Sequence, residues 1–546
     1  MSSRSHAQVQ LAVVLLAWLY ISGLHWQNDG LWFQGDAPRH AATGLFWKDF
    51  LLSGSLSPQD YALRYYARYP VINPASYPPV FYLLEGVVFT VFHPSPYAAK
   101  CLVLAFALFA ACYLMAWLRR WVAVEAGWAA ALLPLLPGFA LWSNAVMLNV
   151  PATALSLAAL YHARRWIEAL PGPVANRQLY LAAAFSVCAT LTYFPAGILV
   201  LVIVAWVLIS GRWTLLWHVS TVCAAMMAAA LLLPFLYVAF KWAPIHVSFV
   251  TESITRFGVA ADWNFYLREL PELTGPYPIT VALFGLTIGM FRRRWRQESL
   301  WLLVFFLVTY LALSVIAAKE GRYALLLCIP VVCLCAMAVE SCSRWLSRWL
   351  ERGEMLSSLA ALAAGAALCG MQAKTASNTS VPRLQGFRGI VTFVESVAPS
   401  EPVFYDGYYN NVFTFHVQAG DPEYKRRVVL GAKLLYASAI NPMWHYRSDV
   451  LSKEDVVKTL QTRGGCRWLA IETSEQSREV PAATLLREAI KGPHFELVRS
   501  FPASGPGLDR IELYRFKLNP QPADEADLPF PILGDEVRFK VRPIQR

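Results

Sequence analysis

Charge is what this sequence has little of. Only 15% of its 546 residues are Asp, Glu, Lys or Arg, whereas 57% are hydrophobic. A soluble chain of this length carries about 25% charged residues, so an ordinary water-soluble globule is excluded. Acid is the scarcer sign, with 36 acidic against 47 basic residues and a net charge of +11. The basic residues gather at the ends of apolar runs and form neither a stripe nor a nucleic-acid motif. That excludes a nucleic-acid partner and points to topology signals and anionic lipid headgroups. No small-residue cleavage site follows the first apolar run, which is therefore expected to remain as an uncleaved span. All but one of the ten cysteines, Cys466, lie in apolar stretches. They form no disulfide framework and no metal-ligand spacing, and read as small hydrophobes. Internal repeats are absent, and ionisable groups are nearly absent from the middles of the apolar runs. Both absences argue against a transporter with coupling residues at the bilayer midplane.

What the chain does have is long apolar runs. A crossing needs about 20 mostly apolar residues, with Lys and Arg favouring the cytoplasmic side. On that basis the chain is predicted to be a polytopic α-helical membrane protein of about eleven spans. The first, 9–24, runs outward into a long outer loop, 25–96. Later spans turn at Arg119-Arg120, Arg164-Arg165 and Arg292-Arg293-Arg294, and the tenth ends in the basic stretch 344–352. One apolar run, 80–92, is too short to cross and is expected to lie at the interface or re-enter. A break is expected at Tyr193-Phe194-Pro195, inside the apolar region 179–210, and a second outer loop over 241–278. The eleventh span, 355–371, leads outward again. This puts the N-terminus in the cytoplasm and the C-terminus outside, with a bacterial inner membrane the best-fitting location.

From Lys374 the composition changes. Short runs such as Val403-Phe404-Tyr405, Val428-Val429-Leu430 and Trp468-Leu469-Ala470-Ile471 read as strands, with patterned helices over 455–460 and 482–490. The chain thus divides into a membrane domain, 1–373, and an extracytoplasmic soluble α/β domain, 374–546. The tail beyond Asn519, rich in Pro, Asp and Glu, is expected to be irregular.

This topology places the loops holding Asp36, Asn149, Arg256 and Lys319 on one face. In Gln34-Gly35-Asp36-Ala37-Pro38-Arg39-His40 a carboxylate, a guanidinium and an imidazole stand where the chain leaves the bilayer. Lys319-Glu320-Gly321-Arg322-Tyr323 carries two cations at an outer helix end, against the positive-inside preference. Such a pair, one of them a planar fork, suits a phosphate at headgroup depth. Tyr77-Pro78-Pro79 is a rigid helix entry, and Met147-Leu148-Asn149-Val150-Pro151 an outer helix start with one polar side chain.

In this order and with this sidedness, the motifs over residues 9–342 resemble the GT-C glycosyltransferases. The closest likeness is to the branch of dolichyl-phosphate-mannose protein mannosyltransferases and aminoarabinose transferases. The resemblance implies a GT-C-like membrane domain that transfers a sugar from a polyprenyl-phosphate donor to a glycan, lipid or protein acceptor outside the cytoplasm. It implies Asp36 as the catalytic base and Lys319, Arg322 and Tyr323 as the donor-phosphate site. Arg39, His40, Tyr77 and Asn149 become substrate-binding candidates. No metal site or cofactor is called for, and no divalent cation is required. Three positions depart from the family pattern. Ala37 stands where Glu usually follows the Asp, Asn149 where an acid often precedes Val-Pro, and Tyr193 where a Lys is common. A non-catalytic receptor or assembly protein, or a lipid-linked sugar transporter, is the alternative reading.

Topology can be checked directly. Cysteines placed in the clusters at Arg119-Arg120, Arg164-Arg165 and Arg292-Arg293-Arg294 should resist an impermeant thiol reagent in intact cells, while one at Glu423 should react. Labelling of the arginine clusters from outside would invert the whole map.

Overall fold

The computed structural model describes residues 3–545 apart from 28–29, 34, 171, 244–261, 317, 350–353, 438–445, 475–478, 522–524 and 530–537. Gln34, Asp29 and Arg256, all singled out above or close to the opening motif, lie outside the described residues.

Proline at the first helical position, where its missing N–H costs nothing, starts many of the helices. The chain opens with α1 (Ser3–Leu24), α2 (Asp36–Ser53), α3 (Pro58–Arg68), α4 (Val80–Val91) and α5 (Pro96–Trp121). A 3-10 turn, Val124–Ala131, and the short helix Leu132–Leu135 lead to α6 (Pro137–Ser143), α7 (Asn149–Glu168), α8 (Pro173–Thr190), α9 (Leu199–Ile209) and α10 (Val219–Trp242). Next come α11 (Phe265–Thr274), α12 (Pro276–Phe291), α13 (Arg296–Val315), the 3-10 stretch Gly321–Leu327, α14 (Cys328–Trp349) and α15 (Glu354–Ser377).

Among the described residues, five helices are long and apolar enough to cross a membrane alone, or up to seven if each of two bent pairs makes one crossing. The other expected crossings fall on helices that are shorter or more polar, α7, α8 and α9 among them. The apolar run 122–141, expected from its composition to be one continuous span, is instead broken, with a bend of 64° between Val124–Leu135 and Pro137–Ser143. Pro134 and Pro137 supply the physical reason, since neither can donate into a helical ladder. Between α8 and α9 the chain does break at Tyr193, which is extended ahead of a 3-10 turn. The short run α4 has 12 residues.

Small residues let the helices meet. A Cβ on Gly285 of α12 would overlap the Leu334 carbonyl of α14, and one on Gly289 would overlap Ser299 Oγ of α13. This is close packing of the small-residue kind used inside membranes. Arg164, expected to mark the cytoplasmic surface, is only 3% exposed and pairs with buried Glu298. Its guanidinium lies over the rings of Trp117, Trp121 and Trp301 at 5.2, 4.2 and 4.8 Å. The arginine is thus a core ion pair boxed by aromatic faces, whose desolvation only close pairing can offset.

After α15 the chain builds a sheet with helices α16 (Phe387–Val397), α17 (Asn410–Gly420), α18 (Lys453–Thr459) and α19 (Pro481–Ala489). Strands β1 (Val403–Asp406), β2 (Val428–Leu430), β3 (Trp468–Glu472), β4 (Phe495–Gly505) and β5 (Leu508–Phe516) lie in the order β2-β1-β3-β5-β4. β1 pairs parallel with β2 and β3, whereas β5 runs antiparallel to β3 and β4. The parallel strands are buried on both faces, which is why they read as unbroken apolar runs. At the end of β3, Glu472 accepts the backbone N–H groups of Tyr408 and Tyr409 at 2.8 Å each, Ser474 Oγ at 2.9 Å, and the Tyr405 hydroxyl. Burial pushes its carboxyl up to about 7.

The tail departs from expectation. β6 (Ala526–Pro529) pairs antiparallel with β7 (Arg538–Val541), and Ala526 and Leu528 bury against Ala67 of α3. The partner surface comes from a loop helix remote in sequence, so the tail's own composition hides it.

Gly285→Ala should cost about 1–3 kcal/mol of packing and lower the Tm of the purified protein. Gly370→Ala, whose added Cβ meets nothing within 4 Å, should leave it unchanged. Equal Tm values for both variants would refute the close α12–α14 contact.

Candidate active site

Asp36 opens α2, where a carboxylate also complements the helix dipole. Gly35 precedes it because a side chain there would collide with Asn411 of α17, whose Nδ2 lies 2.7 Å from the Cβ position. That amide instead donates to the Gly35 carbonyl at 3.0 Å. Two turns further along, Gln418 of α17 donates to the Ala42 carbonyl at 3.1 Å and to Tyr65 Oη at 2.9 Å. The sheet-bearing region therefore holds the start of α2 in register. Nearby, Tyr69 donates to the Asp421 carboxylate at 2.8 Å, and Arg68 to the Ile544 carbonyl at 2.7 Å.

The Asp36 carboxylate faces Arg322 at 3.4 Å and Arg39 at 3.8 Å. Burial alone would raise its pKa. Arg39 and Arg322 outweigh burial and hold the carboxyl below its usual value. Arg322 is 5% exposed. Its guanidinium lies 4.4 Å from the Phe33 ring, 5.5 Å from Tyr323 and 5.7 Å from Trp142. Phe33 packs edge-on to Trp142 at 5.1 Å, and Trp32 stacks on Trp142 at 5.7 Å, so these rings form a wall around the cation. On its open side Glu320 takes the guanidinium with both oxygens, at 2.9 Å from Nη2 and 2.9 Å from Nε.

His40 follows Asp36 by one turn and is 2% exposed. Its Nδ1 shares a hydrogen bond of 2.7 Å with Tyr82 Oη, and its ring meets Tyr77 edge-on at 5.0 Å. Burial drives its pKa down to about 3, with Arg322 and Arg39 adding to the shift against the pull of Asp36. The imidazole is therefore neutral near pH 7. Tyr323 meets Tyr193 with ring centroids 5.9 Å apart, which makes Tyr193 part of the same wall.

Asp36, Arg39, His40, Tyr77, Arg322 and Tyr323 thus come together. Lys319, the other cation expected at a phosphate, turns to the end of a helix in this structure. Its ammonium donates to the carbonyls of Ser314 and Ile316 at 2.6 and 2.8 Å and caps the end of α13. Unpaired helix carbonyls attract a nearby cation, and that need wins here. Asn149 begins α7 and is 5% exposed. Its side chain carries none of the hydrogen bonds that shape the site.

Sequence reasoning passed over Glu320, Phe33, Trp142, Tyr82 and Asn411. Glu320 stands between Lys319 and Arg322, and its contact with the guanidinium is a matter of local geometry that the sequence does not carry. Asn411 arrives from 376 positions away, beyond any local pattern. Among the described residues no group of three or more His, Cys, Asp or Glu is placed to hold a metal ion. The site can hold an anion against Arg322 and accept a proton on Asp36.

No family model and no curated protein sequence matches this chain. Its architecture is nevertheless a known one, the GT-C fold of membrane glycosyltransferases. ArnT from Cupriavidus metallidurans, solved bound to undecaprenyl phosphate, superposes with a TM-score of 0.60 at 15% identity. The match covers 95% of this chain and 100% of that one. The archaeal oligosaccharyltransferase AglB from Archaeoglobus fulgidus, in complex with an inhibitory peptide and a dolichol-phosphate, gives 0.57 at 13% identity, over 91% of this chain and 74% of AglB. With several apolar helices in such a fold, the chain is an integral membrane protein.

The neutral state of His40 has a testable sign. An unfolded imidazole takes a proton below 6.5, the folded one only near 3. The stability tied to neutral His40 is therefore full above 6.5 and drains as pH falls through that window. His40→Gln should flatten the acid side of the Tm-versus-pH curve between those values. An acid slope identical to that of the unmutated protein would mean that the imidazole is not buried neutral.

Proposed function

We propose that this protein is a membrane glycosyltransferase that moves a sugar from a polyprenyl-phosphate carrier to an acceptor hydroxyl or amine at the outer membrane face. The observation that carries the reading is the Asp36–Arg322 pair, a carboxylate kept ionised beside a buried cation, with 3.4 Å between them. The ligands named for the two structural neighbours, undecaprenyl phosphate and dolichol-phosphate, are the chemical class that such a cation suits.

In this reading the phosphate of the donor lies against Arg322 and Tyr323, and the acceptor lies between Asp36 and the sugar. Asp36 takes the acceptor proton, the acceptor's electron pair forms the new bond to the anomeric carbon, and the old carbon–oxygen bond breaks with its pair going to the phosphate. Base catalysis of this kind contributes about 10²–10⁴-fold, and a well-placed cation on the leaving group about 3–4 kcal/mol. A single displacement inverts the anomeric centre. Retention would need a second carboxylate as nucleophile. Asp49 does not suit that part, since it accepts from Tyr65 Oη at 2.6 Å and faces Lys48 at 3.5 Å. Arg39, His40 and Tyr77 shape the acceptor side, and the sheet-bearing region, 374–546, lies outside the cytoplasm as a roof over α2. The N-terminus then faces the cytoplasm.

Asp36→Asn keeps the shape and removes the base. With a radiolabelled polyprenyl-phosphate sugar, turnover should fall by at least about 10²-fold while folding and lipid binding persist. A well-folded Asp36→Asn protein with full transfer would unseat Asp36. No transfer by the unmutated chain from any lipid-linked sugar tried would favour a receptor or transporter instead.

A further inference from the structure

Arg322 is held by an anion of its own chain. Glu320 reaches it with both oxygens at 2.9 Å, one accepting a hydrogen bond from Nη2 and the other an ion-pair contact of Nε, on the face of the guanidinium that would also suit a phosphate. The two partners differ in freedom. The Arg322 side chain is 6% exposed and walled by aromatic rings, whereas the Glu320 side chain is 42% exposed. The arginine is fixed, and the carboxylate is the half that can leave.

Charge makes the same point. Arg39 and Arg322 are balanced by Asp36 and Glu320. A sugar-phosphate diester brings one negative charge, so the balance survives binding only if Glu320 turns out to solvent. Asp36 cannot be the one to leave, because it must stay to take the proton. Transfer then converts the diester to a monoester, which carries about 1.5–2 negative charges at pH 7. The excess favours departure of the phosphate, and a carboxylate waiting beside the fork can replace it.

We propose that Glu320 is a resident substitute for the donor phosphate, displaced on donor binding and returning to Arg322 to speed release of the spent polyprenyl phosphate. This rests on the reading of Arg322 as the phosphate-binding cation. Glu320 is then a positioning residue, which sets donor affinity and product release without touching the reacting atoms.

The test uses the full-length protein in detergent with undecaprenyl phosphate as the probe, measuring its Kd and dissociation rate. Glu320→Gln should bind about ten-fold tighter and release more slowly, because the phosphate no longer has to displace a charge-assisted pair. Glu320→Asp, one methylene too short to span both nitrogens, should fall between. Adding Arg322→Ala to Glu320→Gln should abolish the gain. Unchanged or weaker binding in Glu320→Gln, with Arg322→Ala alone still weakening it, would overturn this proposal and leave the donor site standing. If Arg322→Ala also leaves the affinity untouched, both readings fall.

Discussion

The site is organised around a guanidinium that has been taken out of water. Stripping a cation of its hydration costs several kcal/mol unless it is paired and hydrogen-bonded. Arg322 is surrounded accordingly, by two carboxylates and by the faces of Phe33, Trp142 and Tyr323. Each partner comes from a different part of the chain. Asp36 comes from the first loop helix, Trp142 from the end of a broken span, and Glu320 from the turn before α14. Meeting the needs of one buried cation therefore ties together segments with no other reason to converge. It also sets the electrostatics of Asp36, whose carboxyl would be pushed up by burial if the cations were absent.

The Asp36–Arg322 pair holds only if the start of α2 stays in place. Helix ends fray, and Asp36 is the first residue of α2. Asn411 and Gln418, projecting from α17, fasten it by donating to carbonyls at its start and in its interior. Tyr69, Asp421, Arg68 and the backbone of Ile544 close the same joint further out. The buried apolar cluster runs without a break from α1 to residues of β1 and β2, so the two chemically distinct halves of the chain share one core. Rigid placement of catalytic groups comes from this kind of support, since errors of an ångström are costly in rate.

Much of this was legible in the sequence. The parallel strands showed as apolar runs, and the break after α8 was marked by Tyr193-Phe194-Pro195. Asp36, Arg322 and Tyr323 were recognisable from motif order, because ionic groups at a membrane boundary are few and stand out. The carbonyls that Lys319 meets were not legible, because motif adjacency is silent about which cation caps a helix. The burial of Arg164 was not legible, because the positive-inside rule counts charges and cannot see a buried Glu298 waiting for one. Asn411, Trp142 and the β6–β7 pairing depend on contacts between distant segments, and no window of local composition contains them.

The sheet has one further consequence, and it lies at Glu472. In open α/β sheets, small ligands settle beyond the carboxyl ends of the parallel strands, where adjacent connections diverge and helix-start amides await an anion. Here that berth is between β1 and β3, and the amides of Tyr408 and Tyr409 at the head of α17 are already taken by the chain's own carboxylate. A nucleotide phosphate would find the seat filled. The fold that elsewhere reads cofactors is thus reduced to masonry, its internal anion serving as a keystone that sets the angle of the helix reaching down to Gly35. With a carboxyl pKa of about 7, that keystone is held at the midpoint of its own titration near neutrality.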